Sequence, residues 1–285
     1  MYAITGITGK VGGALARALL ADGQSVRAIV RDVDKGSAWV AQGCTLAQAD
    51  MRDAAALTAA FDGVQGAFIL PPSEFDPAPG FHEAREVIDA VKAALVAARP
   101  ARVVCLSTVG AHVDRSNLLT QRTLMEQALG DLPMPITFLR PAWFIENAAW
   151  DVASARDTGI LASFLQPLDK PVPMVATSDI GRVAAMLLQQ EWTGRRVVEL
   201  EGPRRVSPLD IAAAFSAVLN RDVRAEIVPR VTWNDLFKLQ GMKYPLPRMQ
   251  MLDGFNEGWI DFEQDRAQVW KGEVELETVL QSLVK

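Results

Sequence analysis

Cysteine, histidine and tyrosine are scarce in this chain, two of each in 285 residues. The two cysteines, Cys44 and Cys105, exclude a disulfide framework and a cysteine-rich metal site, and the run Val103-Val104-Cys105-Leu106 reads as a buried apolar stretch. His82 and His112 lie too far from each other and from the cysteines to give a metal-ligand spacing, so no metal is expected. Positive charge is also lacking: 29 Lys and Arg against 34 Asp and Glu leave a formal net charge of −5. A chain that lives on phosphate-backbone contacts shows the opposite bias, so nucleic acid is not an expected partner. No apolar run approaches the roughly 18 residues of a membrane span. Met1 leads straight into Tyr2-Ala3-Ile4-Thr5-Gly6, without the basic and apolar regions of a signal peptide. The expectation is a soluble, reduced, cytoplasmic protein.

What is present is ordinary globular material, 49% hydrophobic and 22% charged, long enough for one or two domains at about 150 residues each. Tyr2–Thr5, Val26–Val30, Thr45–Ala49, Ala67–Leu70, Arg102–Ser107 and Ile136–Leu139 read as strands. Helical patterns lie between them, such as Ala84–Ala98 with Val87, Ile88, Val91, Leu95 and Ala98 on one face. Near-continuous apolar strands alternating with helices predict a doubly wound parallel α/β sheet over residues 1–150. Residues 151–285 are expected to form a smaller α+β substrate or lid lobe, with 175–205 returning to complete the sheet. There Ser178 is placed as the N-cap of a helix, Ser207-Pro208-Leu209-Asp210 opens another, and residues 223–228 alternate as a half-exposed strand. The aromatic and Met-rich segment 232–262 reads as a pocket lid, a subunit contact or the core of the small lobe. Pro245 and Pro247 are expected to keep it from regular helix.

Gly6, Gly9 and Gly12 are spaced G-x-x-G-x-x-G between the first strand and a helix. Such a loop lets backbone N–H groups approach a pyrophosphate at a helix N-terminus, with Thr8, Lys10 and Val11 beside it. The second strand ends in Arg31, with Lys35 four residues on, where an NAD site usually carries an acid. Two cations suit a 2′-phosphate, so NADP(H) is favoured over NAD(H), although Asp32 would take the acidic role if the strand ended one residue later. Asp50-Met51 ends the third strand at the expected adenine position, with Asp50 or Asp53 alternatively capping the next helix. Leu70-Pro71 ends the fourth, at the expected ribose and nicotinamide position.

The glycine loop, Val30-Arg31, and above all Leu139-Arg140-Pro141-Ala142-Trp143-Phe144-Ile145-Glu146-Asn147 resemble the NmrA-like branch of atypical short-chain dehydrogenases/reductases. Asp179-Ile180-Gly181-Arg182 and Leu200-Glu201-Gly202-Pro203 fit the same pattern. The resemblance implies an NAD(P)-binding Rossmann fold, with Pro141, Trp143, Phe144 and Asn147 facing the nicotinamide end and the substrate. That family includes quinone oxidoreductases, triphenylmethane reductases and dinucleotide sensors that regulate protein partners.

The departures limit the chemistry. The Tyr-x-x-x-Lys pair of ordinary short-chain dehydrogenases is missing; aligned through Arg122-x-x-x-Glu126, its places hold Leu118 and Arg122. Tyrosine-dependent alcohol–ketone chemistry is therefore excluded. Ser107 stands where the family's active-site hydroxyl lies and would orient a carbonyl, Arg122 would bind ribose, and His112 is the candidate proton source. An aromatic wall of Trp143, Phe144 and Trp233, with Trp150 nearby, suits a planar acceptor. The expected function is hydride transfer from NADPH to a quinone-like or electron-poor aromatic substrate. The alternative is a non-catalytic redox sensor acting on a protein partner, and a homodimer is compatible with either.

Overall fold

The apolar runs pair side by side as parallel strands in the computed structural model, which describes Met1–Lys285. β1 (Tyr2–Ile4), β2 (Val26–Val30), β3 (Thr45–Gln48), β4 (Gly66–Ile69), β5 (Arg102–Leu106) and β6 (Ile136–Pro141) are joined by β7 (Arg195–Glu201) and β8 (Trp270–Lys271). Their order is 3-2-1-4-5-6-7-8, and every neighbouring pair is parallel. Strand order reverses between β1 and β4, which opens a crevice at their C-terminal ends. β8 was not legible in the sequence; it is two residues long, too short for any periodicity.

Helices cover both faces. Lys10–Ala21 and Thr177–Gln189 pack together on one side, and Ala54–Phe61, His82–Ala98 and Thr120–Leu129 on the other. Gly181 permits the first contact, since a Cβ there would sit 2.5 Å from Ala14 Cβ. Each face has its own apolar cluster, and a third cluster gathers residues mostly of the C-terminal half around Phe215, Trp233 and Phe237. Cys44 and Cys105 are buried in these clusters, and burial pushes both thiols upward, Cys105 most.

Two helix starts differ from expectation. Residues 177–189 begin two positions early, with Ala176 rather than Ser178 at the cap, because a distant side chain does the capping. Glu146 accepts hydrogen bonds from the Thr177 N–H at 2.9 and 3.1 Å and from the Thr177 hydroxyl. Pro245 and Pro247 do not prevent helix; they start one, Leu246–Glu257. A first-turn proline loses an N–H that has no intrahelical partner anyway. Ser207 opens its helix as expected, and the cap is reciprocal: its hydroxyl accepts from the Asp210 N–H while Asp210 accepts from the Ser207 N–H.

Candidate active site

The glycine loop leaves β1 through Gly6, at φ +66°, and Gly9 caps the Lys10–Ala21 helix without a side-chain partner. Gly12 lies against the turn so closely that a Cβ would stand 2.3 Å from the Gly6 carbonyl oxygen. The N–H groups of Thr8, Lys10, Val11 and Gly12 donate to nothing within the protein, whereas Gly9 and Gly13 are paired. A row of free donors on a helix N-terminus, with backbone bared by glycine, fits a pyrophosphate. Thr5 clamps the loop to β4: its hydroxyl donates to the Phe68 carbonyl and accepts from the Leu70 N–H at 2.7 Å. That bond sets Leu70 against Gly6.

Arg31 and Lys35 are exposed at the end of β2, and neither forms an ion pair within the chain. Asp32 is engaged locally, its carboxylate accepting the Asp34 N–H at 3.0 Å. Asp50 likewise accepts from the Arg52 N–H, with Met51 beside it, and it is Asp53 that caps Ala54–Phe61 through the Ala56 N–H.

Leu70 is also one wall of a cavity of about 780 Å³ over the ends of β4, β5 and β6. Ser107, Arg122, Trp143, Phe144 and Asn147 line it together, with Trp150 68% exposed beside them. The Arg-Pro-Ala-Trp-Phe-Ile-Glu-Asn run is divided by its geometry. Trp143–Phe144 pair with Met174–Val175, so that both rings are held on a short ribbon. Glu146 is occupied by the Thr177 cap, and Pro141 is buried in β6 outside the cavity lining.

Arg122 is buried, and burial lowers its pKa to about 10, still cationic at neutral pH. It donates to the Pro71 carbonyl at 2.9 Å and to the Ser73 hydroxyl at 2.8 Å. Gln121 holds the next residue, Glu74, by two backbone bonds. The loop then crosses to the C-terminal third, where Asp76 accepts the N–H groups of Lys243 and Tyr244.

Ser107 donates to Glu126 Oε1 at 2.5 Å. Glu126 in turn takes a two-pronged bond from Arg140, at 2.9 and 2.7 Å. A carboxylate only accepts, so the one Ser107 proton points away from the cavity and its oxygen turns lone pairs inward. The expected role of Ser107 as donor to a carbonyl is thereby corrected: it offers an acceptor instead. Glu126 serves in the sequence only as an alignment anchor four places after Arg122; its role in the site comes from the structure.

Two further expectations are corrected. Trp233 is 0% exposed and does not reach the cavity; its indole donates to the Val228 carbonyl and packs edge-on behind Phe164, which does line it. His112 is also outside the lining, beside Glu199 and Glu263. Those two carboxylates already accept from Arg140, and Glu199 also takes the N–H groups of Glu263 and Gln264. Segment 232–262 supplies a wall, through Gln240, Arg248, Met251, Leu252 and Phe255.

Asp151 lines the cavity with no hydrogen-bond or ionic partner for its carboxyl, and burial raises its pKa from 3.8 to about 6. The folded state therefore holds this proton more tightly than the unfolded chain. Stability falls as pH rises through the interval between the two values and stays lower above it. Asp151→Asn is expected to stabilise the fold at pH 7.5 by up to about 3 kcal/mol, and by roughly half that at pH 5. Chemical denaturation at both pH values measures this, and an equal gain at both would contradict it.

A family model described as the NmrA-like family matches residues 2–270. The chain belongs to the NmrA-like family. Among its relatives, quinone oxidoreductase 2 of Escherichia coli (strain K12) is 30% identical over 227 residues, 78% of this chain and 76% of the relative. The NAD(P)H azoreductase of Xenophilus azovorans is 30% identical over 231 residues, 79% of this chain and 76% of that one. In fold, this NmrA-like chain superposes on the Citrobacter sp. triphenylmethane reductase solved with NADP(H), at TM-score 0.81 and 20% identity over 99% of both chains.

Proposed function

We propose that this NmrA-like protein is an NADPH-dependent reductase of quinone-like or electron-poor aromatic acceptors. The observation that carries the reading is the continuity of the two halves of the site through Leu70, with a free-donor glycine loop on one side and an aromatic-walled cavity on the other. The quinone and azo-dye reductases among the relatives support the same class of acceptor.

In this reading the N–H groups of Thr8, Lys10, Val11 and Gly12 surround the pyrophosphate, with Gly6 and Gly9 shaping the turn. Arg31 and Lys35 take the 2′-phosphate, Asp50 and Met51 flank the adenine, and Leu70, Pro71 and Arg122 border the nicotinamide ribose. The engagement of Asp32 in its own turn supports the cationic reading of this corner. The bound cofactor supplies the hydride. The protein's part is to hold the acceptor against the wall that Trp143 and Phe144 contribute and to orient it from the Asn147 amide. Positioning of two rings is the main catalytic contribution available to it. The reduced acceptor is a stabilised oxyanion, so solvent at the open mouth can complete it with a proton without a dedicated acid. A cavity of this size beside the glycine loop supports an acceptor site, which cofactor sensing alone does not require.

Two substitutions test the halves separately. Arg31→Asp is expected to weaken NADPH binding by at least about tenfold more than NADH binding, the worth of a charge-assisted contact, as read by nucleotide fluorescence. Equal losses would remove the 2′-phosphate assignment. Trp143→Ala is expected to lower kcat/KM for aromatic acceptors by roughly tenfold or more through loss of stacking. Unchanged turnover on every acceptor would remove the aromatic wall from the account.

A further inference from the structure

Arg248 lines the cavity from the first turn of Leu246–Glu257. The other arginines that are at least partly buried, Arg27, Arg102, Arg122, Arg140, Arg196 and Arg205, each donate to one or more oxygens. Arg248 meets none. Its sole hydrogen-bond partner in the protein is the Met242 thioether, 3.8 Å from Nη1, and its guanidinium lies over the Phe237 ring at 4.4 Å. Phe237 is fully buried and packs on Phe164, so the plane on which the cation rests is fixed. The other acids of the lining do not answer it. Glu74 accepts from the Asp76 N–H, and Asp151 stands within ion-pair distance of no cation. Burial lowers the Arg248 pKa, the direction expected of a cation without a counter-ion.

A half-buried guanidinium whose donors meet no oxygen, stacked on an immobile ring at the edge of an apolar cavity, is built to receive an oxyanion. We infer that the Arg248 end of the cavity binds the anionic substituent, a sulfonate, carboxylate or phosphate, of a planar aromatic ligand whose ring lies along Trp143 and Phe255. That this ligand is the hydride acceptor rests on the reductase reading; the anion site itself does not. The consequence is a preference for ring systems carrying a negative group over their neutral counterparts.

The test uses two fluorescent probes that share one skeleton, 8-anilinonaphthalene-1-sulfonate and the uncharged N-phenyl-1-naphthylamine, titrated into the full-length protein without nucleotide. In Arg248→Gln the sulfonate probe is expected to bind at least about tenfold more weakly, the loss of a charge-assisted hydrogen bond, with the neutral probe within twofold of wild type. Arg248→Lys should retain part of the sulfonate affinity. Equal weakening of both probes, no change in either, or failure of the wild-type protein to bind the sulfonate would overturn the inference. Oxidation of NADPH by uncharged 1,4-naphthoquinone reads the reductase assignment separately. Its absence, with the sulfonate preference intact, would sink that assignment and leave the anion site standing.

Discussion

Gly12→Ala is expected to weaken NADPH binding by roughly 100-fold, the upper end of what overpacking a rigid site costs. The added methyl would stand 2.3 Å from the Gly6 carbonyl oxygen, 2.7 Å from its carbon and 2.9 Å from Ile7 Cα. All three are backbone atoms, so no side chain can swing aside. Gly6 itself has little freedom, at φ +66° with Leu70 packed where its own Cβ would go. The turn must open, and the N–H groups of Thr8 to Val11 then lose their common aim. Gly23→Ala is the control. Gly23 also has positive φ, yet nothing lies within 4 Å of its Cβ position, so it should lose only about 1 kcal/mol of stability and keep nucleotide affinity. Titration of both variants with NADPH decides the matter; similar affinities for the two would contradict the assigned loop geometry.

Arg140→Met is expected to destabilise the fold by about 3–5 kcal/mol. The Arg140 side chain is 3% exposed, and it faces Glu126 and Glu199, whose side chains are 4% and 0% exposed. Burial by itself would lower the Arg140 pKa, and its bonds to Glu126 and then Glu263 more than reverse that. Removing the guanidinium leaves buried Glu199 without a cation and buried Glu126 with only the half-exposed Arg195, at 3.9 Å. Against a typical stability of about 5–15 kcal/mol, much of the protein would be lost to the insoluble fraction. The double variant Arg140→Met with Glu126→Gln should recover part of the loss, because one of the stranded charges is gone. Urea denaturation measures both; a loss below about 1 kcal/mol in the single variant would show that Glu126 and Glu199 are satisfied in another way. The double variant also frees the Ser107 proton, since glutamine can donate to the serine oxygen.

The sheet was legible because buried parallel strands are written as uninterrupted apolar runs, and Gly6, Gly9 and Gly12 as a spacing fixed by backbone approach. The division of labour inside the Arg140–Asn147 run was not. Trp143 and Phe144 reach the cavity while Glu146 caps a helix 31 residues away, a contact that no local pattern encodes. Trp233 was misplaced for a related reason: an aromatic residue in a segment that borders a cavity can fill the layer behind it. Residue type alone points to His112 as a proton source, but it stands in the Arg140 charge cluster. Glu126, Asp151 and Arg248 have no role legible in the sequence because their roles depend on what surrounds them, a paired guanidinium, an unpartnered burial and a missing oxygen. None of those is visible along the chain.

The most direct test of the central claim is the loss of NADPH absorbance when the purified protein is mixed with 1,4-naphthoquinone and a panel of related quinones and dyes. Saturable oxidation that disappears in Gly12→Ala and falls in Trp143→Ala is the predicted result. Tight NADPH binding with no oxidation by any acceptor would contradict the account.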